Sequence, residues 1–247
     1  MKKFKNFIAS FLRLFVGGLK NPKDIPIFIN NYNRLSTLTK LTDALDSRGY
    51  TNITILDNQS TYPPLLKYYK STKYKVHRFK KNYGYKSFWK SGLWLKHTSN
   101  YFVYTDPDIV PVDECPENII SYFYELLKKY PKVHKVGFSL KIDDLPNHFK
   151  NKESVIKWEK PFYENELEPN IYEAPIDTTF ALYRPFSKLG KRDGSTPIIR
   201  TGAPYQAIHL PWYLDNDNLE EEEIFYLNNL KTITHWSKKN DEIKSKL

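Results

Sequence analysis

An α/β domain built on a mostly parallel, doubly wound sheet is the fold class this sequence predicts, and three observations predict it. Short runs of β-branched and aromatic residues alternate with helix-periodic segments along the first hundred residues, the signature of successive βαβ units. The links between them are short. Two of the runs end in aspartates, Asp57 and the pair Asp106 and Asp108, as strands do when they deliver ligands to the carboxyl edge of an open sheet. The chain has 247 residues, 40% of them hydrophobic and 27% charged, which suits one such domain with a sizeable core.

The elements follow in order. In residues 1–20, Phe4, Phe7, Ile8, Phe11, Leu12, Phe15 and Leu19 recur at three- and four-residue steps, with Lys5, Asn6, Ser10 and Arg13 on the other side. This predicts a basic amphipathic N-terminal helix ended by Gly17 and Gly18, suited to an anionic membrane surface; packing on protein is the alternative. Arg13 interrupts the apolar run and no small-residue cleavage site follows, which speaks against a cleaved signal peptide. The main domain is expected over residues 21–237, and residues 238–247 read as a basic tail. Within it, 24–29 is a first buried strand, and Leu35, Leu38, Leu41, Ala44 and Leu45 trace a helix face that Gly49 ends. Residues 53–56 form a second strand, 62–69 a helix started by its prolines, 75–79 a third strand, 88–97 a helix and 101–105 a fourth strand. Beyond residue 112, 116–130 is a helix and 132–140 a strand. A charged insertion carrying Trp158 and Phe162 then fills 150–170, and a strand-like run covers 178–183. The glycine- and charge-rich stretch 188–202 reads as a lid, and Glu220–Glu223 as a solvated helix start.

Composition narrows the chemistry. The formal net charge of +10 favours anionic partners: phosphorylated small molecules, anionic lipid or nucleic acid. A single cysteine, Cys115, excludes an internal disulfide and a cysteine-based metal site, and points to a reducing compartment. No run reaches the ~20 apolar residues that span a bilayer.

Asp106 and Asp108 present hard oxygens at a strand end, the donor type of Mg²⁺ and Mn²⁺, ions that commonly share their coordination with substrate phosphates. The spacing alone is weak evidence. Asp215 and Asp217 repeat it with no strand leading in. A metal-bridged nucleotide diphosphate at Asp106 and Asp108 is the resulting expectation, with Arg34, Lys80, Lys81 and Lys86 as cations able to attract phosphate oxygens. Lys80 and Lys81 read more simply as a solvated face.

Four stretches in order, Phe28 to Arg34, Ile55 to Ser60, Asn82 to Gly84 and Thr105 to Asp108, resemble the donor-binding half of GT-A glycosyltransferases of the family 2 type. The likeness covers residues 24–112 and departs at Pro107 and at the Tyr-Pro-Pro start of the second helix. It implies a GT-A, Rossmann-like domain with a nucleotide-sugar half at 21–112 and an acceptor half at 113–237. It implies that Asn31, Tyr32, Arg34 and Asp57 contact the nucleotide, that Asn82, Gly84 and Lys86 cover ribose and phosphates, that Asp106 meets the ribose or a metal-bound water, and that Asp108 binds Mn²⁺ or Mg²⁺. The same resemblance makes Asp177 the candidate general base of an inverting reaction, the alternative being a turn cap. It gives His209 an acceptor-side or metal-ligand role, with His235 as the rival ligand. Arg192 and Arg200 are expected to contact phosphate from the lid.

The expectation is therefore a metal-dependent glycosyltransferase moving a sugar from a nucleotide diphosphate, with UDP as the expected nucleotide, to a glycan or lipid-linked glycan of surface polysaccharide or lipooligosaccharide. It would work at the cytoplasmic face of the membrane, with no nucleic-acid partner. A nucleotidyltransferase is the enzymatic alternative, although Asn30–Arg34 carries no glycine for a phosphate loop. A basic module binding nucleic acid or anionic lipid is the non-enzymatic one.

Overall fold

The computed structural model describes residues 17–177, 179–187, 196–215 and 217–230. Most of the amphipathic segment 1–20, Arg192, His235 and the basic tail 238–247 lie outside the described residues. Among those described, no helix is long and apolar enough to cross a membrane.

The fold is mixed α/β, with helices flanking one central sheet. Strands β1 (Ile27–Asn31), β2 (Ile53–Asp57), β3 (Lys75–Arg78) and β4 (Phe102–Thr105) are followed by β5 (Ile109–Pro111) and β6 (Lys135–Leu140). Then come β7 (Glu166–Glu168), β8 (Ile171–Glu173), β9 (Ala181–Tyr183) and β10 (Ile198–His209). Their spatial order is β3-β2-β1-β4-β9-β6-β10-β8-β7, with β5 paired to β10. The first four are mutually parallel in that order, and β6 and β10 are parallel to each other. β9 enters antiparallel between β4 and β6, so β6 keeps the direction of β4 and the sheet remains mostly parallel.

Burial explains why these residues are strands. β1 is buried along its whole length, as parallel strands covered on both faces must be. Successive side chains alternate between faces. Ile27 and Ile29 join one core cluster with Leu38, Leu41 and Leu45 of α1 (Ser36–Asp46) and with Ile119, Phe123 and Leu127 of α4 (Ile119–Lys129). Phe28 joins an aromatic cluster on the other face with Phe88, Phe102, Tyr104 and Tyr183, where Phe102 and Tyr183 stack at 4.9 Å. The β6–β9 contact needs a glycine. A Cβ at Gly137 would lie 2.4 Å from the Phe180 carbonyl oxygen and 2.6 Å from the Ala181 Cβ.

Helix α2 (Pro63–Tyr68) starts at its prolines as expected. The helix expected over 88–97 is broken: α3 covers only Ser87–Lys90, and Gly92, at a φ of +80°, turns the chain into a 3-10 segment, Leu93–Lys96. The insertion at 150–170 becomes α5 (Lys152–Glu159), a 3-10 turn and the β7–β8 hairpin. The expected lid is partly strand, since its last residues, 198–202, open the twelve-residue β10. The final described helix, α6, spans Glu221–Asn228.

Candidate active site at the carboxyl edge of the sheet

The carboxyl ends of β1, β2 and β4 carry Asn30 and Asn31, Asp57, and Asp106, and parallel pairing brings them to one edge. An amide network joins them. Asn30 Nδ2 donates to Asp106 Oδ1 at 3.4 Å, and Asn30 Oδ1 accepts from Ser87 Oγ at 2.6 Å and from Asn58 Nδ2 at 3.1 Å. Asn58 also holds the turn beyond β3, donating to the Gly84 carbonyl at 2.8 Å and accepting from the Tyr83 N–H at 2.8 Å. Asn82 Oδ1 closes that turn on the Gly84 N–H at 2.7 Å, with Gly84 at a φ of +70°. Asn33, itself at a φ of +53°, accepts from the N–H groups of Thr61 and Tyr62, just ahead of α2. The four motifs found in the sequence are thus one hydrogen-bonded assembly.

Within it, Tyr32 lies against Asn82 and Asn33. Burial raises its phenol's pKa, the two amides pull it down and the charge of Asp57 adds to the rise. Asp57 is fully buried. Its Oδ2 accepts from Arg78 Nε at 2.8 Å, and its Oδ1 accepts from the Ser60 N–H and the Tyr69 hydroxyl. Arg78, half-exposed, also donates to the Ser60 carbonyl. It covers Asp57, and nothing in its sequence context marks it. Asn31 is buried, donating to the Arg34 carbonyl and Tyr69. Lys86 ends the 3-10 turn that begins at Gly84, with its Nζ 5.0 Å from the Tyr85 ring centre.

Asp108 faces the other half of the chain. β5 pairs antiparallel with the end of β10, setting His209 opposite Ile109, and the Leu210 N–H donates to the Asp108 carbonyl at 2.9 Å. His209 Nε2 stands 3.6 Å from Asp108 Oδ2, beyond a direct hydrogen bond. Asp108 Oδ1 and His209 Nδ1 are buried and have no hydrogen-bond partner. Burial pushes the Asp108 carboxyl up, but His209 and then Arg34 outweigh it and hold the group below its ordinary value. An ionised carboxylate with an orphaned oxygen beside an imidazole is a donor set that fits a divalent ion. Among the described residues no group of three or more His, Cys, Asp or Glu side chains could hold a metal.

Two expected phosphate contacts are otherwise engaged. Arg34 forms a bidentate pair with Glu223 of α6 at 2.6 and 2.9 Å, beneath the Tyr226 ring at 3.9 Å. Arg200, on β10 and 3% exposed, pairs with Glu159 at 2.6 Å and donates to the Pro175 carbonyl at 2.8 Å. It is a core residue, because the stretch taken for a lid is a strand there. The Glu220–Glu223 run is not simply a solvated helix start: Glu222 accepts from the Leu35 and Ser36 N–H groups at the start of α1 and from Ser36 Oγ. The Tyr32 hydroxyl donates to the Asn229 carbonyl at 2.8 Å. The sequence signal was present in the run of glutamates, since carboxylates suit helix N-termini; the helix they cap is a different one.

Asp177 lies on the aromatic face of the sheet. It and Asp106 both raise the pKa of the buried Tyr104 and Tyr183 phenols, behind the larger effect of burial. The two carboxylates therefore lie near the same pair of rings.

No family model matches the chain, and no curated protein matches it. Among solved structures it is similar to GalNAc-T7 with UDP, GalNAc and Mn²⁺, at 14% identity over 83% of this chain and 49% of that one, with a TM-score of 0.48. It is similar to TarS 1-349 of S. aureus at 13% identity, over 75% of this chain and 60% of that one, TM-score 0.43. A third is glucosyl-3-phosphoglycerate synthase from Mycobacterium tuberculosis in complex with phosphoglyceric acid, at 14% identity over 64% and 56% of the two chains, TM-score 0.40. The chain spans about half to three-fifths of the length of these structures.

Proposed function

We propose that the protein is a metal-dependent glycosyltransferase of the GT-A type, which moves a sugar from a nucleoside diphosphate to the hydroxyl of a glycan or lipid-linked glycan. The observation that carries this reading is the Asp108–His209 pair at the carboxyl edge of a mostly parallel sheet: a buried carboxylate with one partnerless oxygen, its other oxygen 3.6 Å from His209 Nε2. A divalent ion there supplies charge that stabilises the departing diphosphate more than the bound donor.

The chain's own residues do the rest. Tyr32, Asn82 and Arg78 over Asp57 form the nucleoside side, with Arg78 holding its guanidinium half in solvent. Asn30 fixes Asp106 against the turn at Gly84. Asp177 takes the proton of the attacking hydroxyl, with inversion at the anomeric carbon. Residues 1–20 hold the enzyme at an anionic membrane surface, where a lipid-linked acceptor is met.

The test is sugar release and transfer across a panel of nucleotide sugars, with Mn²⁺, Mg²⁺ or EDTA, for the native protein and for Asp108→Asn and His209→Ala. Activity is expected with the metals only. Each substitution should lower kcat/KM by about 10²-fold or more, the scale of losing one electrostatic stabiliser. Full activity in EDTA, or in Asp108→Asn, refutes the metal site.

A further inference from the structure

Three consecutive main-chain carbonyls, those of Pro175, Ile176 and Asp177, are held by two buried cations from neighbouring strands. Lys135, the first residue of β6, is fully buried. Its Nζ donates to the Ile176 carbonyl at 2.7 Å, to the Asp177 carbonyl at 3.1 Å and to the Tyr183 hydroxyl at 3.1 Å. Arg200 on β10 donates through Nε to the Pro175 carbonyl at 2.8 Å, while its Nη1 is fixed by Glu159. The preceding residue, Ala174, is still tied to the Ile198 carbonyl at 3.2 Å. The chain therefore leaves β8 already clamped and stays clamped to Asp177.

Core lysines are rare because removing an ammonium from water is expensive. An ordinary core position next to Tyr183 would be filled by Leu or Met. Here the ammonium's three donors all find acceptors, and two of those acceptors are backbone atoms of the segment that ends in the acid. Burial pulls the Lys135 ammonium down to about 7, Asp177 pushes back up and Arg200 pulls further down. Lys135 therefore feels the charge of Asp177 as well as touching its carbonyl.

We propose that Lys135 and Arg200 are positioning residues that set the place of Asp177 as general base, a role that rests on the glycosyltransferase reading. The hydrogen bonds of Lys135 fix the backbone that carries Asp177. Arg200 extends the clamp by one residue and, through Glu159, anchors it to α5. Both cations lie inside the fold, away from solvent, and need no contact with substrate.

The experiment compares Lys135→Met and Asp177→Asn with the full-length native protein. It reads kcat, KM for donor and acceptor, and nucleoside diphosphate binding with Mn²⁺. For Lys135→Met the expectation is unchanged nucleotide binding, KM values near the native ones and a kcat lower by about 10²-fold, the scale of a base displaced by an ångström. An unchanged kcat overturns the proposal. So does a parallel loss of nucleotide binding, which marks a role in the fold alone. Should Lys135→Met fail to fold, Tyr183→Phe decides. It removes one acceptor from Nζ and keeps the ring, so kcat should fall by less, with nucleotide binding unchanged; a folded Tyr183→Phe with a native kcat overturns the proposal. Arg200→Lys, which keeps a charge near Pro175, should recover part of the kcat that Arg200→Met loses. A fully active Asp177→Asn refutes the general-base reading instead, and is distinguished by leaving Lys135→Met no base to displace.

Discussion

Replacing Glu223 with alanine strands a buried guanidinium, and the consequence can be sized from the structure. The Arg34 and Glu223 side chains are 6% and 12% exposed. Both oxygens of Glu223 accept from Arg34, and the Tyr226 ring closes the third side. Burial opposes the charged form of Arg34, and Glu223 more than compensates, so the guanidinium ends above its ordinary value. Removing one partner of such a pair costs about 3–5 kcal/mol, because the remaining charge keeps its desolvation penalty. At ~2–4 °C per kcal/mol for a domain of this size, Tm should fall by on the order of 10 °C. Urea denaturation and thermal melts of Glu223→Ala measure the loss. Arg34→Met combined with Glu223→Ala should recover most of it, since an apolar pair of similar volume is often neutral in such a site. Hydrogen exchange should show α6 opening first in the single variant, because its carboxylates are its main ties to α1. A loss under ~1 kcal/mol, the range of an exposed ion pair, or a double variant no better than the single, refutes the reasoning and with it the docked state of α6.

Other outcomes follow from single contacts. Lys135 has a folded-state pKa near 7 against 10.5 for the free group; between those values the unfolded chain holds the proton and the folded one does not. Stability should therefore rise with pH from 7 to 9, by at most about 1.4 kcal/mol per unit, and Lys135→Met should flatten that slope; the window stops at 9 because the buried Cys115 thiol, raised to about 11, adds the opposite slope above it. Gly137→Ala should destabilise by ~1–3 kcal/mol, the usual cost of overpacking, since its Cβ would meet the Phe180 carbonyl; an unchanged urea midpoint would show that β6 and β9 can separate. EDTA should leave the unfolding midpoint of Asp108→Asn unmoved while Mn²⁺ raises that of the native protein, as a ligand that binds only the folded state must.

What was legible in the sequence follows from what each signal depends on. The parallel half was readable because β1, β2 and β4 are buried on both faces and their helices carry one-sided apolar stripes. Periodicity reports burial, and burial there is simple. The ends of those strands were readable too: Tyr32, Asp57, Asn82, Gly84 and Asp106 all come to one edge. β10 was not. It carries Gly202 and Pro204, and its register with β6 slips between Thr201 and Gln206, so alternation is lost over a strand that nonetheless pairs with three neighbours. The misreading of Arg200 came from the same place. For Arg34 the failure was different in kind. A cation beside a binding loop attracts phosphate or a carboxylate of its own chain equally well, and the competing carboxylate lay 189 residues away.

The two aspartates at the end of β4 are divided by this arrangement. Asp106 belongs to the first half: Asn30 holds it, and through Asn58 it is tied to the turn that carries Gly84. Asp108 belongs to the second: its carbonyl accepts from Leu210 and its carboxylate faces His209. Pro107 stands between them and fixes its own φ, so the chain passes from one set of partners to the other without freedom at the crossing. A ligand that drew on both carboxylates would thereby couple the turn at Gly84 to the end of β10. The His209 ring, facing Asp108 Oδ2, and the following 3-10 turn, Leu210–Tyr213, with Trp212 buried against the His209 ring at 4.7 Å, make that end a rigid wall rather than a loop. Strand β5 carries this connection: three residues long, it leaves the parallel set after Asp108 and pairs with β10. The short strand is thus what sets one carboxylate of a closely spaced pair against each half of the chain.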